Sequence, residues 1–363
     1  MEFPLPINLI YVEPHPHPHL LLRFKCALAP EGEGVFFNVR RLLVLMLMCA
    51  ATAITTPTRA QPWTPTRPIE ITVSSGAGGA ADREARELQR HLQALPGMPS
   101  ITVNNRPGGG GSIAWSSLNL HQGDAHWIST MNVALLTNAI IGASTLRYQD
   151  LTPLAILMRE YIAVWTRAES PIKSAKDLIA RLKVNPSSVS FGLSPALGNQ
   201  NHIVLGMLAK AAGVDPKALR IVVYAGGAGV TAALGGHIDA WVGTLGGAIP
   251  LAHAGKVNLM GISAEKRQAG KAIALPTFRE QGIDAVYAAY RGIVGPGGLT
   301  AAQRAYWDAT FAKVTSSAEW KAAALEHAWE VDFKNSAETR KHLDAEYLVL
   351  RKTLAELGVT RQP

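Results

Sequence analysis

Cysteine is nearly missing from this 363-residue chain, which contains only Cys26 and Cys49. Both precede the point near Ala60 where we predict cleavage of an export signal, so the expected mature chain has none. Such a chain has no disulfide, no thiol nucleophile and no thiolate metal ligand. The sequence also lacks the His-Glu-x-x-His pattern, which disfavours that class of zinc enzyme.

The apolar run Leu42–Ala53 is shorter than the ~20 residues that a membrane-spanning helix needs. It follows the basic pair Arg40 and Arg41 and is followed by a polar stretch that ends in a small residue, Ala60. This order is typical of a cleaved secretory signal. We therefore interpret residues 39–60 as a signal peptide and expect the mature protein in the periplasm.

Residues 1–38 show no hydrophobic periodicity, and a signal peptide ordinarily begins at its basic end. Our hypothesis is that translation starts at Val39 and that residues 1–38 are a non-native extension.

Charge is sparse and positive: charged residues make up 17% of the chain, and the formal net charge is +8. The basic residues are scattered, without a Lys/Arg run or an accompanying aromatic motif, so we expect no nucleic-acid partner. A net positive field also attracts small anions, and the export signal favours this second interpretation.

Short β-type runs alternate with helical segments along the expected mature chain, which predicts an α/β fold with parallel sheets. Each half contains two small-residue turns between a strand and a helix, which suggests two similar lobes. Ligands of open α/β sheets bind beyond the carboxyl ends of the strands, so these turns would surround one cleft. The predicted strands are 69–73, 101–104, 127–131, 162–165, 189–192, 221–224, 240–242, 259–262 and 286–294, and the predicted helices include 82–95, 174–183, 199–212, 300–314, 318–327 and 336–357.

The first of these turns is Gly76–Asp82, directly after a predicted strand. Ala77, Gly78 and Gly79 would present backbone N–H groups near the positive end of a helix dipole, where an anion is stabilised. Asp82 has two possible roles that can coexist. It caps the helix, or its carboxylate holds a hydroxyl or ammonium group of a ligand.

Further candidate ligand contacts lie at the ends of other predicted strands. Each also has a structural interpretation as a helix cap, a turn residue or a buried hydrogen-bonding group. We expect Arg106 to shape its turn, although an arginine can also pair with a ligand carboxylate. The remaining candidates are Thr130, Asn132, Ser194, Asn199, His202, Gly226, Gly227 and Asp239.

Two enzyme classes compete with anion capture. Gly76–Ala81 matches the dinucleotide fingerprint, but the acid expected ~20 residues later is absent, and Arg106 would have to accept a 2′-phosphate instead. Gly192–Ala196 resembles the Gly-x-Ser-x-Gly pattern of a nucleophile elbow but lacks its last glycine. We therefore expect neither an NADP-binding oxidoreductase nor a hydrolase, and no cofactor.

Short motifs follow one another in a fixed order: Arg67-Pro-Ile, Ala77-Gly-Gly-Ala-Ala-Asp82, Ala85-Arg86, Asn105-Arg-Pro-Gly-Gly-Gly-Gly-Ser-Ile113, Phe191-Gly-Leu-Ser194, Gly198 with His202, Val223-Tyr-Ala-Gly-Gly227, Leu234-Gly-Gly-His-Ile-Asp239, Ala254-Gly-Lys256, Leu275-Pro-Thr277, Glu280-Gln-Gly282 and Gly295-Pro-Gly297. Their order and spacing resemble the Bug/TctC family, the extracytoplasmic solute-binding receptors of tripartite tricarboxylate transporters. The resemblance covers essentially the whole expected mature chain.

The resemblance implies two lobes of the periplasmic-binding-protein type (type II-like), joined by crossover segments near Ala163–Trp165 and Val286–Tyr290, with a helical C-terminal tail. It places residues 61–163 and 288–363 in the first lobe and 164–287 in the second. It implies a small organic carboxylate as ligand, bound largely through backbone amides and waters. We expect a monomer without enzymatic activity that delivers ligand to membrane permease subunits or, alternatively, presents it to a membrane sensor kinase.

This chain departs from the family pattern at three places, and the first and third lie at the expected cleft, so the ligand's identity does not carry over from a relative. Ser74-Ser75 replace the usual proline and aromatic residue. The segment around Leu146–Asp150 is shortened, and the loop before Gly198 is longer by one residue.

Overall fold

The computed structural model describes residues 62–224 and 227–360. The predicted extension at 1–38, the signal peptide at 39–60, both cysteines and Gly226 lie outside the described residues. Across the described ranges, no helix combines the length and the apolarity of a membrane span.

Ten strands form the described sheet structure, and the predicted strands are present with shifts of a few residues at their ends. One strand is much longer than predicted, and one near the C-terminus was not predicted at all. The strands are β1 (Ile69–Val73), β2 (Ile101–Asn105), β3 (Trp127–Met131), β4 (Thr152–Arg167), β5 (Ser190–Leu193), β6 (Arg220–Val223), β7 (Ala240–Thr244), β8 (Val257–Ile262), β9 (Ala288–Gly295) and β10 (Glu330–Lys334).

The strand order is β2-β1-β3-β9-β4-β7-β5-β6, and both β8 and β10 pair with β4. β1, β2 and β3 are parallel, as are β5, β6 and β7, whereas β9 runs antiparallel to β3 and β4. We call the part built on β1, β2, β3 and β9 the first lobe, and the part built on β5 to β8 the second lobe.

The 16-residue strand β4 belongs to both lobes. Its residues up to Tyr161 pair with β9, and its residues from Ile162 onward pair with β7 and β8. The predicted crossover at Ala163–Trp165 lies just after this change of partner, and the one at Val286–Tyr290 includes the start of β9. The residue boundaries of the lobes remain a prediction.

The helices cover the faces of the two lobes, and two of them, α3 and α7, were not predicted. They are α1 (Ala80–Gln93), α2 (Ser112–Asn119), α3 (Ala134–Ile140), α4 (Ala175–Val184), α5 (Gln200–Ala211), α6 (Ala228–Leu234), α7 (Leu245–His253), α8 (Ala301–Ser316), α9 (Ala318–Glu326) and α10 (Ser336–Glu356).

The helices α8 and α9 return to the first lobe. Trp307 and Trp320 belong to the same buried core as Ile71 of β1 and Leu88 of α1. A separate core under the second lobe contains Phe191. These two helices therefore complete the first lobe, a connection that the sequence pattern leaves open, whereas α10 also shares a buried core with Ile203 of α5.

Candidate functional site

A cavity of about 120 Å³ lies where the turn before α1 faces the turn before α5. The α1 side contributes Gly78, Gly79, Ala80 and Ala81, and the α5 side contributes Ser194, Gln200 and Asn201. Trp165 of β4 and Trp241 of β7 add apolar walls. The lining thus combines backbone at two helix starts with a few polar side chains, a composition typical of small-molecule sites.

The first wall is held in shape by Asp82. Its Oδ2 accepts a hydrogen bond of 2.9 Å from the N–H of Gly78, and its Oδ1 accepts one of 3.0 Å from Asn105. Gly78 has a φ of +73°, a conformation that favours glycine. The N-cap of the 14-residue helix α1 is Gly79, which has no side chain to accept the first N–H groups of the helix. Because Gly79, Ala80 and Ala81 line the cavity, the positive end of the helix dipole faces it.

The charge of Asp82 is stabilised where it stands. Burial alone would raise its pKa, but hydrogen bonds from Arg86, Gly78 and Asn105 hold the pKa below its usual value. The carboxylate is therefore ionised at neutral pH and is occupied in organising the turn.

The second wall is organised by Asn199, the N-cap of α5. Its Oδ1 accepts hydrogen bonds of 3.0 and 3.1 Å from the N–H groups of Asn201 and His202, and its Nδ2 donates to the carbonyl of Ser194 at 2.7 Å. His202 accepts a hydrogen bond at Nδ1 from the N–H of Gly198. Burial lowers the pKa of His202 to about 4, so its ring is neutral at physiological pH.

Two buried side-chain amide oxygens at this wall accept no hydrogen bond from the part of the chain that the structure describes. Among the described residues nothing donates a hydrogen bond to Oε1 of Gln200 or to Oδ1 of Asn201, and both side chains line the cavity. The amide nitrogen of Asn201 donates to Ser194, which fixes the orientation of that side chain. Buried acceptors without donors are costly, so this wall is suited to a ligand or water that donates hydrogen bonds.

A buried charge cluster forms part of the cavity floor. Arg291 lines the cavity and donates from Nε to Glu160 at 2.6 Å, while its Nη1 lies 3.9 Å from Glu84. Glu84 is fully buried, and neither carboxyl oxygen has a hydrogen-bond partner among the described residues. Burial raises the pKa of Glu84 well above its usual value, with Arg291 opposing and Glu160 adding to the rise. Arg291 and Glu160 thus form a salt bridge, and burial holds Glu84 toward its neutral form.

Arg83 extends from the first lobe across the cavity to the second. Its Nη1 donates to the carbonyl of Gly78 at 2.9 Å, and its Nη2 lies 3.4 Å from the hydroxyl of Thr244 at the end of β7. The guanidinium group therefore contacts the turn of one lobe and a strand end of the other.

The structure brings five of the predicted contact residues to the cavity lining: Gly78, Gly79, Asn132, Ser194 and Gly227. The other described candidates lie outside the lining, where several hold neighbouring backbone. Thr130 accepts from the N–H of Ser74 at 3.2 Å, and Asp239 accepts from the N–H of Ser190 at 2.8 Å. The candidates outside the lining are Ala77, Asp82, Thr130, Asn199, His202 and Asp239.

Sequence reasoning missed Arg83 and Arg291. A lone arginine inside the apolar run of β9 was the available signal for Arg291, because an arginine is seldom fully buried without a partner. For Arg83 the available signal was helical periodicity, because a residue four positions after Gly79 lies on the same face of α1.

The residues that the two competing enzyme classes would require make structural contacts instead. Arg106, which would have to bind a 2′-phosphate, donates to Ser117 at 2.6 Å and lies 3.7 Å from Glu70. His202, eight residues after Ser194, accepts a hydrogen bond at Nδ1 from the N–H of Gly198. Within the part of the chain that the structure describes, no three His, Cys, Asp or Glu side chains converge as a metal site.

Two α/β lobes around a cleft that faces two helix starts define a solute-binding protein of the periplasmic-binding-protein fold. The chain belongs to the tripartite tricarboxylate transporter receptor family (TctC), whose family model matches residues 85–342. It is similar to protein BugT of Bordetella pertussis, with 29% identity over 68% of this chain and 75% of BugT.

Solved structures agree with the fold. The periplasmic binding protein BugD superposes with a TM-score of 0.75 at 21% identity, covering 82% of this chain and 100% of BugD. The R. palustris protein Rpa4515, solved with adipate, gives a TM-score of 0.75 at 23% identity, covering 82% of this chain and 99% of the other. The predicted two-lobed fold and family membership are thus confirmed.

Proposed function

We propose that this protein captures a small organic carboxylate in the cleft and presents it to the membrane permease subunits of a tripartite tricarboxylate-type transporter. The observation that carries the proposal is the approach of two helix starts, those of α1 and α5, to one cavity. Helix N-termini offer N–H donors and a positive dipole end to an anion without any bound metal. Adipate, named in the R. palustris structure, is of the proposed chemical class.

Capture is coupled to closure in this proposal. A ligand that binds the α1 wall gains contacts with the α5 wall only when the lobes are closed, so it shifts the population toward the closed form. The change of partner within β4 after Tyr161 and the start of β9 are the proposed hinges. We propose that residues 61–163 and 288–363 move against residues 164–287, and that no chemical step takes place.

The location and the contacts belong to the same proposal. We propose that the protein works in the periplasm, as a monomer, after loss of residues 39–60. The proposed direct contacts are the lining residues Gly78, Gly79, Asn132, Ser194 and Gly227, while Asp82, Asn199 and His202 position the two walls.

A thermal-shift screen over mono-, di- and tricarboxylates tests this function. A ligand at 100 times its Kd stabilises the folded protein by about 2.7 kcal/mol, which is readily measured as a higher melting temperature. We expect at least one small carboxylate, and not NADP, to raise the melting temperature. If NADP raises it and no carboxylate does, the proposed function is wrong.

A further inference from the structure

Arg83 is a cation at the cavity without a carboxylate partner. In the described residues no Asp or Glu oxygen lies within 4.0 Å of its guanidinium group, although Asp82 precedes it in the helix. Its polar contacts are one backbone carbonyl, that of Gly78, and one hydroxyl, that of Thr244. A guanidinium carries five N–H donors in a planar fork, so most of its donor capacity is unused.

The charged side chains near Arg83 do not supply its guanidinium group with a close carboxylate. Arg291, the other arginine of the lining, is already paired with Glu160. Burial lowers the pKa of Arg83, and Arg291 lowers it further, while the more distant carboxylates of Glu160 and Asp82 raise it. Arginine nevertheless stays protonated in proteins. The cavity therefore retains one positive charge that its own side chains leave without a close carboxylate.

The position of this charge differs from that of the two helix starts. In the proposed function, the first carboxylate of a ligand binds at the start of α1, where Gly79, Ala80 and Ala81 line the cavity and the N-cap Gly79 has no side chain. The guanidinium of Arg83 lies to one side, between the turn of Gly78 and the end of β7 at Thr244. Thr244 is a weak partner at 3.4 Å, and a carboxylate, which accepts two parallel hydrogen bonds from arginine, would replace it favourably.

We propose that Arg83 is the specificity-determining residue that selects ligands with a second acid group, by pairing with that group in place of Thr244. This inference rests on the proposed function, because it assumes that the cleft binds carboxylates. The ligand class is then a dicarboxylate or larger acid rather than a monocarboxylate. The second carboxylate neutralises a partly buried charge, and it also lies against both lobes, which favours the closed form.

Matched acid pairs test the inference by isothermal titration calorimetry on the purified protein. Succinate is compared with butyrate, and adipate with hexanoate, so that each pair differs mainly by one carboxylate. The variants are Arg83→Gln, which removes the charge and keeps a donor, and Arg83→Lys, which keeps the charge. Arg90→Gln is the matched control, because Arg90 lies on the same helix, is exposed and pairs with Glu87 outside the cavity.

The expected result is a preference of the wild type for at least one diacid over its monoacid partner by about tenfold or more, equivalent to about 1.4 kcal/mol. Arg83→Gln removes that preference by weakening the diacid about tenfold more than its monoacid partner, Arg83→Lys keeps part of the preference, and Arg90→Gln keeps all of it. Melting temperatures of the free variants show that each one is folded.

Other outcomes overturn the inference in distinguishable ways. If Arg83→Gln weakens the diacid and its monoacid partner equally, Arg83 only positions the wall and does not select. If the wild type binds monoacids as tightly as diacids, the selectivity is absent while carboxylate capture still stands. If the wild type binds none of the four acids and no carboxylate of the thermal-shift panel, the proposed function fails together with the inference.

Discussion

Leu357, one residue beyond α10, packs on Gly206 of α5 so closely that a Cβ added to Gly206 would lie 2.2 Å from Leu357 Cδ2. Lys210 and Glu356 form an ion pair beside this contact. Further along α10, Leu343 and Leu350 share a buried core with Ile203 of α5. The C-terminal helix is thus attached to a helix that begins at the cleft.

Because of the contact between Gly206 and Leu357, we expect Gly206→Ala to change the free energy of unfolding in opposite directions in the wild type and in a Leu357→Ala background. We expect Gly206→Ala to destabilise the wild type by about 1–3 kcal/mol, because the added methyl group displaces Leu357. In a Leu357→Ala background the same change removes a helical glycine without the clash and stabilises by about 0.5–1 kcal/mol. Urea denaturation measures both differences. Additive effects of the two substitutions would contradict the contact.

Asp82→Ala is expected to destabilise the protein by about 1–3 kcal/mol at pH 7, because the N–H of Gly78 and the amide of Asn105 lose a charged acceptor. The pKa of Asp82 is lowered in the folded state, so its stabilisation is present above its usual value of 3.8 and is lost as the pH falls through the lowered pKa. The stability difference between wild type and variant should therefore shrink below about pH 3.8. Urea denaturation from pH 7 to pH 3 measures it, with exposed Asp284→Ala as the control. A gap that stays constant with pH would show that the charge is not involved.

Glu84→Gln tests the buried charge cluster, where we expect a pH dependence of stability opposite to that of Asp82. The pKa of Glu84 is raised in the folded state, so its contribution to stability is full below its usual value of 4.5 and is lost as the pH rises toward the raised pKa. We expect the variant to match the wild type near pH 4.5 and to exceed it by about 1–3 kcal/mol at pH 8. Urea midpoints across this range measure the effect, and exposed Glu169→Gln should follow the wild type. A variant that is less stable than the wild type at pH 8 would mean that the Glu84 carboxylate is ionised and stabilises the folded protein.

Gly227 offers a way to fill the cavity without disturbing the fold. It lines the cavity, and a Cβ built on it meets no atom of the described residues within 4 Å. We expect Gly227→Leu to weaken the tightest carboxylate of the thermal-shift panel by about tenfold or more, and Gly227→Ala to have a smaller effect. Calorimetry measures affinity, and the melting temperature of the free protein should be nearly unchanged. Wild-type affinity in Gly227→Leu would place the ligand elsewhere.

Local signals in the sequence predicted much of the fold because they act over a few residues. The box formed by Thr300 and Gln303 marks the start of α8, and both of its hydrogen bonds are present. The first ten residues of β4 were missed because they are buried on both faces, so the strand shows no alternation of apolar and polar residues.

The sequence predicted the glycine-rich turns of the cavity and the side chains of Asn132 and Ser194, but not its charges. Glycine-rich turns before helices indicated the walls around Gly78 and Ser194. The charges depend on partners that are remote in sequence: Arg291 pairs with Glu160, 131 residues away, and Arg83 reaches Thr244, 161 residues away. No local pattern specifies which distant residue neutralises a buried charge.

The place of β9 between β3 and β4 limits when the sheet can form during synthesis of the chain. β1 to β3 are complete at Met131 and β4 to β8 at Ile262, but in the described sheet β3 is joined to β4 only through β9, which begins at Ala288. Folding that follows synthesis from the N-terminus would give two separate groups of strands, each short of a neighbour at one edge. A late eight-residue segment then unites them, so a chain that stops before Ala288 contains most of the strands and no continuous sheet.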